Sequence, residues 1–160
     1  MHRYEREAWI DAPFHDVWAF HANTDGLEAL TPPWMQLRIE SVTGPDGGVD
    51  PDVLTPGSRV RASTRPFGIG PRQGWISEIV ERERTDGSAY FRDVMHDGPF
   101  DDWLHTHLFY AGEGEHTLVR DVVAYRLPLG PVDPYVGPVG AIGLDLLFKY
   151  RHARLAALLE

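Results

Sequence analysis

The chain has 160 residues, with 24 acidic residues against 15 basic ones and a formal charge of −9. That balance, with no run of Lys or Arg, excludes nucleic acid and an anionic membrane surface as partners, since both are held largely through their phosphates. The absence of Cys excludes disulfides, thiolate nucleophiles and Cys-ligated zinc or iron–sulfur centres.

Hydrophobic residues make up 42% of the chain. That is enough for one domain over residues 1–160, whose core hides about two-thirds of the unfolded surface. The basic set is 14 Arg and the single Lys149. An acid-rich, Lys-poor composition is halophile-like, typical of salt-adapted or high-GC hosts, and bears on solubility rather than activity. The opening Met1-His2-Arg3-Tyr4-Glu5-Arg6-Glu7 lacks the apolar run of a signal peptide. The apolar stretch from Val139 to Phe148 is interrupted by Asp145 and is too short to cross a bilayer. A cytoplasmic protein without membrane insertion is expected.

In chain order, Arg3 to Ile10 reads as a strand. Asp11-Ala12-Pro13 follows, with Asp11 suited to cap a helix and Pro13 to its first turn. Phe14, Val17, Trp18 and His21 fall at helical spacing. A second short helix covers Thr24 to Leu30 and stops before Thr31-Pro32-Pro33. Six strands are expected near 35–42, 58–65, 72–82, 88–96, 102–111 and 117–127, separated by turns such as Thr85-Asp86-Gly87 and Asp97-Gly98-Pro99. A long polar loop runs from Gly44 to Gly57, and a Pro/Gly-rich segment from Pro128 to Pro138. Val139, Ile142, Gly143, Leu146, Leu147, Tyr150, Arg154, Ala157 and Leu158 then recur at helical spacing, giving a C-terminal amphipathic helix of about six turns. The layout is α+β: a curved antiparallel sheet of about seven strands wrapped around a long C-terminal helix, with two short helices after the first strand. Such curvature leaves a cavity between sheet and helix.

Strand alternation selects the residues that face that cavity. Glu78, Arg82, Arg92, Arg120 and Arg126 fall at even positions of the later strands and belong to solvent. The odd positions carry Trp75, Ser77 and Ile79; Phe91, Asp93 and Met95; Trp103, His105, His107 and Phe109; and Val119, Asp121, Val123 and Tyr125. Four ionisable groups, Asp93, His105, His107 and Asp121, therefore point inward on adjacent strands. The two His are about 7 Å apart along one strand. Buried charges require partners, and carboxylates beside imidazoles are expected to raise the His pKa values while staying ionised. Three readings are open: a polar network that rigidifies the sheet, a patch that orients the polar end of an apolar ligand, or a metal site or acid/base pair. No metal and no cofactor is assigned. His2, His15 and His116 read as surface or loop residues, and His96 as outward-facing.

There is no nucleophile elbow, P-loop or H-E-x-x-H motif. The glycines of Gly137-Pro138-Val139-Gly140-Ala141-Ile142-Gly143 have the wrong spacing for a dinucleotide loop and read as close approach at the start of the last helix. Trp34, after two prolines, suits a lid or a packing anchor.

The opening Ile10-Asp11-Ala12-Pro13, followed by Val17-Trp18-Ala19-Phe20, resembles the start of START/SRPBCC helix-grip domains. Several further stretches resemble a subgroup described as polyketide cyclase/dehydrase-like or cell-division-inhibitor-like. They are His21-Ala22 with Leu30-Thr31-Pro32-Pro33-Trp34, Phe91-Arg92-Asp93, the run Gly98-Pro99-Phe100-Asp101-Asp102-Trp103-Leu104-His105-Thr106-His107-Leu108-Phe109, Asp121 to Pro128, and Phe148 to Leu155. Met95 departs from the polar residue, often Gln, expected there.

The resemblance covers essentially the whole chain. It implies a helix-grip fold and a cavity for a small hydrophobic or amphipathic ligand such as a lipid, quinone, isoprenoid or polyketide. Phe91, Trp103, Phe109, Tyr125, Leu146, Leu147 and Tyr150 would form apolar walls, and Asp93, His105, His107 and Asp121 the polar anchor. His21, Arg151 and His152 would join that anchor or line an entrance. The alternatives are an aromatase/cyclase or lyase using a His/Asp pair of this cluster, and an interaction module for an epimerase-like protein, to which some members of the subgroup are fused. A monomer or weak dimer is expected.

Overall fold

The computed structural model describes residues 1–160, the side chain of Pro138 excepted. Strand β1 (His2–Ile10) is followed by helices α1 (Phe14–Phe20) and α2 (Thr24–Leu30). Then come β2 (Arg38–Thr43), β3 (Arg59–Thr64), β4 (Gln73–Arg84), β5 (Ser88–His96), β6 (Asp102–Ala111) and β7 (Thr117–Arg126), and finally helix α3 (Asp133–Leu159). All seven strands form one antiparallel sheet in the order β1-β7-β6-β5-β4-β3-β2. The expected α+β, helix-grip architecture is therefore present.

The helix at Phe14 is not capped by Asp11. Pro13 stands at its N-cap without a side-chain acceptor. Asp11 lies too far upstream, where its backbone N–H donates to Glu160 Oε2 and its carboxylate lies 3.3 Å from His116 Nδ1. Helix α2 is capped by Asn23, whose side chain accepts from the Asp25 N–H.

Alternation along β7 is clean: Thr117, Val119, Asp121, Val123 and Tyr125 are buried and the residues between them are less so. Register places Asp93 opposite His105 and Asp121 opposite His107. Two apolar clusters flank these residues. One gathers Ile10, Val17, Trp18, Phe91, Phe109 and Leu155; the other gathers Tyr4, Val123, Tyr125, Leu144 and Phe148.

Helix α3 differs from the sequence expectation in two ways. It begins at Asp133, inside the Pro/Gly-rich segment, because Pro134 sits in the first turn, where a missing N–H costs nothing. Its start is held from outside the helix. Asp133 accepts from the Leu127 N–H and lies 2.8 Å from His2 Nε2, and the Tyr125 hydroxyl donates to the Gly137 carbonyl. His2 is thus a half-buried partner rather than a surface residue, and a Cβ on Gly137 would collide with its ring. Close approach explains that glycine, whereas Gly143 faces open space.

The second difference is the buried face. Val139, Ile142 and Leu146 are 60%, 64% and 66% exposed, and Leu158 is exposed as well; Leu144, Phe148, His152 and Leu155 are the buried ones. Both faces of the helix are apolar, and the buried one contains His152, which a count of apolar residues discounts. Asp145 reinforces this rotation by accepting from the Tyr4 hydroxyl at 2.9 Å and from Arg6 at 3.2 Å, both on β1.

Truncating the two faces separates these descriptions. Phe148→Ala is expected to cost about 3–5 kcal/mol in urea denaturation, and Leu146→Ala within about 0.5 kcal/mol of zero.

Candidate functional site

The sheet register puts each His directly opposite an Asp, yet the short hydrogen bonds run diagonally. His105 Nε2 donates to Asp121 Oδ1 at 2.7 Å, and His107 Nε2 donates to Asp93 Oδ2 at 2.8 Å. The directly opposed pairs are longer: His105 Nδ1 to Asp93 Oδ2 is 3.8 Å, and His107 Nδ1 to Asp121 Oδ1 is 3.5 Å. From α3, His152 Nε2 donates to Asp121 Oδ2 at 2.6 Å, so each Asp121 oxygen has its own imidazole donor. An ionised carboxylate only accepts, which fixes the proton of each short contact on the ring nitrogen.

The rings are also stacked. Two side chains leaving one strand about 7 Å apart fold together until the His105 and His107 centroids are 3.5 Å apart, because both reach diagonally across to neighbouring strands. Phe91 covers the other face of His107 at 3.9 Å. Phe148 and Trp103 meet His105 edge-on at 5.2 and 6.1 Å.

Electrostatics follow from this enclosure. Burial would raise the Asp121 pKa, but hydrogen bonds from His105 and His152 outweigh it and hold the carboxyl well below its usual range. Asp93 is lowered in the same way, by His107 and His105 against burial. The expected upward shift of the imidazoles does not occur at His107. Burial, with the charge of His105, pushes it down to about 4 despite the neighbouring carboxylates.

Of the residues singled out from sequence, Phe91, Asp93, Trp103, His105, His107 and Asp121 are gathered here. Asp93 is the most open of the four ionisable ones, with its side chain 13% exposed and Ser77 Oγ at 3.4 Å. Phe109 lies beneath Trp18 and His21, fully buried, and Tyr125 is fully buried at the start of α3, so both serve packing. Leu147 and Tyr150 are half-buried beside the buried face of α3, and Leu146 points away. Arg151 is half-buried, with its guanidinium 5.7 Å from the Phe148 ring centroid. Burial lowers its pKa, against the pull of Asp121 and Asp93. His21 donates from Nδ1 to the Val17 carbonyl and stays outside the short hydrogen bonds.

His152 is the member of the network that sequence reasoning left in doubt. Its signal was the spacing Leu144, Phe148, His152, Leu155, which marks one helix face only if a histidine is counted as core. A recess of about 470 Å³ opens elsewhere, between β2, β3 and β4, lined by Glu40, Arg61, Ser63, Arg72 and Asp97 among others.

Burial also pushes His21 down to about 3, from an ordinary 6.5. Between those values the unfolded chain binds the proton that the folded chain refuses, so stability falls as pH drops through this window. In His21→Phe, the fall in urea midpoint from pH 6.5 towards pH 4 is expected to be shallower than in the parent. Equal slopes would show that His21 is not held neutral.

The polyketide cyclase / dehydrase and lipid transport family model matches residues 10–145. No curated protein matches at the level of sequence. Among solved structures, TTHA0849 from Thermus thermophilus is 22% identical, with a TM-score of 0.59 over 99% of this chain and 100% of that one. A START superfamily protein from Mycobacterium smegmatis is 12% identical, with a TM-score of 0.67 over 99% of each chain. Norcoclaurine synthase from Thalictrum flavum is 15% identical, with a TM-score of 0.64 over 98% of this chain and 85% of that one. With the matched model spanning most of the chain and the same sheet-and-helix arrangement in these structures, the protein belongs to the polyketide cyclase / dehydrase and lipid transport family, of START/SRPBCC type.

Proposed function

We propose that the protein binds a small hydrophobic or amphipathic molecule on the inner face of the sheet, its polar end at Asp93 and its apolar body against the half-buried aromatics around it. The observation that supports this most is the asymmetry of the cluster. The side chains of Asp121 and His105 are 6% and 7% exposed and paired, while that of Asp93 is the most open of the cluster at 13%. By strand parity Trp75, Met95 and Trp103 share its face, and all three are only partly buried. Partly buried aromatics beside one oriented polar group form the kind of lining that small-molecule sites use. The family's description, which includes lipid transport, points the same way.

The charge distribution suits a ligand whose polar end donates hydrogen bonds. Asp93 accepts from His107 and, more weakly, from Ser77, and a carboxylate has about four lone-pair directions to offer. A hydroxyl or ammonium group would add to these bonds, whereas a ligand carboxylate there would meet repulsion.

Titration with the neutral fluorophore N-phenyl-1-naphthylamine tests the apolar part of the site. Trp103→Ala is expected to weaken binding about tenfold or more, and Tyr135→Ser, on the exposed face of α3, to leave it unchanged. Equal affinities in the parent and Trp103→Ala would remove the inner face as the binding surface.

A further inference from the structure

The geometry points to a divalent metal site formed by Asp93, His105 and His107, with zinc as the ion best suited to it. This goes beyond the proposed function and does not rest on it: an ion there would replace the direct contact between Asp93 and the ligand's polar end.

One oxygen or nitrogen from each of the three residues can be chosen so that all lie within 4.8 Å of one another. Asp93 Oδ2 lies 2.8 Å from His107 Nε2 and 3.8 Å from His105 Nδ1. Ligand atoms on a tetrahedral ion with bonds of about 2.0–2.1 Å are separated by about 3.3 Å, between those two distances. Small side-chain rotations would therefore complete the set without moving a strand. Two imidazoles and one carboxylate are the donors of catalytic zinc sites and of open three-ligand iron sites, with further positions left for water or ligand.

The ring orientations also suit an ion. With His105 Nε2 turned to Asp121 Oδ1 at 2.7 Å, its Nδ1 faces an Asp93 oxygen 3.8 Å away. An ion between that nitrogen and that oxygen would take a ligand atom from each. His107 Nε2 carries a proton towards Asp93, but its Nδ1 lies 3.5 Å from Asp121 Oδ1. Moving that proton from Nε2 to Nδ1 frees Nε2 for a metal, and the new N–H has Asp121 to donate to. No proton leaves the protein in this exchange.

Behind the two rings stands a shared carboxylate. Asp121 Oδ1 would accept from the far nitrogen of both ligating rings, while its other oxygen is held by His152 at 2.6 Å. A carboxylate behind a metal-bound imidazole is the usual device for fixing ring orientation and tautomer. Here one carboxylate would serve two rings, and α3 anchors it. An ion would also offset the two carboxylates, which otherwise share an interior of imidazoles and aromatics.

The test is isothermal titration of the chelator-treated full chain with Zn2+ alone. Uptake of one Zn2+ per chain, with a rise in melting temperature, is expected. His105→Gln and His107→Gln should each abolish that uptake, and Asp121→Asn should weaken it about 10–100-fold. His96→Gln, outward-facing and paired with Glu78, should bind like the parent. If a variant fails to fold by circular dichroism, the parent's own stoichiometry and melting shift decide. Less than stoichiometric uptake by the parent, or equal affinity in a folded His105→Gln/His107→Gln double variant, overturns the metal site. N-phenyl-1-naphthylamine binding by the metal-free chain keeps the two proposals apart: if it persists while Zn2+ is refused, only the metal site falls.

Discussion

A carboxylate buried in the middle of a sheet imposes the constraint around which this fold is arranged. Removing Asp121 from water costs several kcal/mol unless donors replace the lost hydration. His105 on β6 and His152 on α3 supply them, one to each oxygen, at 2.7 and 2.6 Å. Because these donors come from the sheet and from the helix, satisfying the carboxylate also docks α3 and sets its rotation. With His152 turned inward, Leu144, Phe148 and Leu155 must face the sheet, and Val139, Ile142 and Leu146 must face outward. Tyr4, Arg6 and Asp145 repeat the clamp at the β1 edge, and His2 with Asp133 fixes the helix start.

The same constraint concentrates the chemistry. Phe91, His107 and His105 form a continuous stack, so the imidazoles exchange water for aromatic faces and carboxylate oxygens. In that low-dielectric setting each hydrogen bond is stronger and each unpaired group more costly. The network is most open at Asp93, whose side chain is 13% exposed and whose face of the sheet carries the half-buried Trp75 and Trp103.

Much of this was legible in the sequence, for a reason particular to strands. A period of two leaves little freedom, so Asp93, His105, His107 and Asp121 could be placed on one inner face from alternation alone. Their diagonal pairing could not, because it depends on register and on side-chain reach across strands. The helix was harder to read. Two apolar stripes compete along α3, and the one with more apolar residues is exposed because a buried histidine and a close-packed glycine mark the other. His2 was hidden for a similar reason: its partner Asp133 is 131 positions away, and no local pattern signals it. Alternation names the residues that face inward but not how closely their side chains pack.

The docking of α3 on the sheet depends on Asp121 accepting from two imidazole Nε2–H groups at once. Long-range proton–nitrogen NMR correlations on 15N-histidine-labelled protein read the protonation of each ring nitrogen directly. A proton on Nε2 of both His105 and His152 is the expected result. In Asp121→Asn, whose amide oxygen lies on only one side, one of the two rings is expected to change tautomer. An unprotonated Nε2 on either ring of the parent protein would contradict the account, because the carboxylate would then lack a donor and the helix its tie to the sheet.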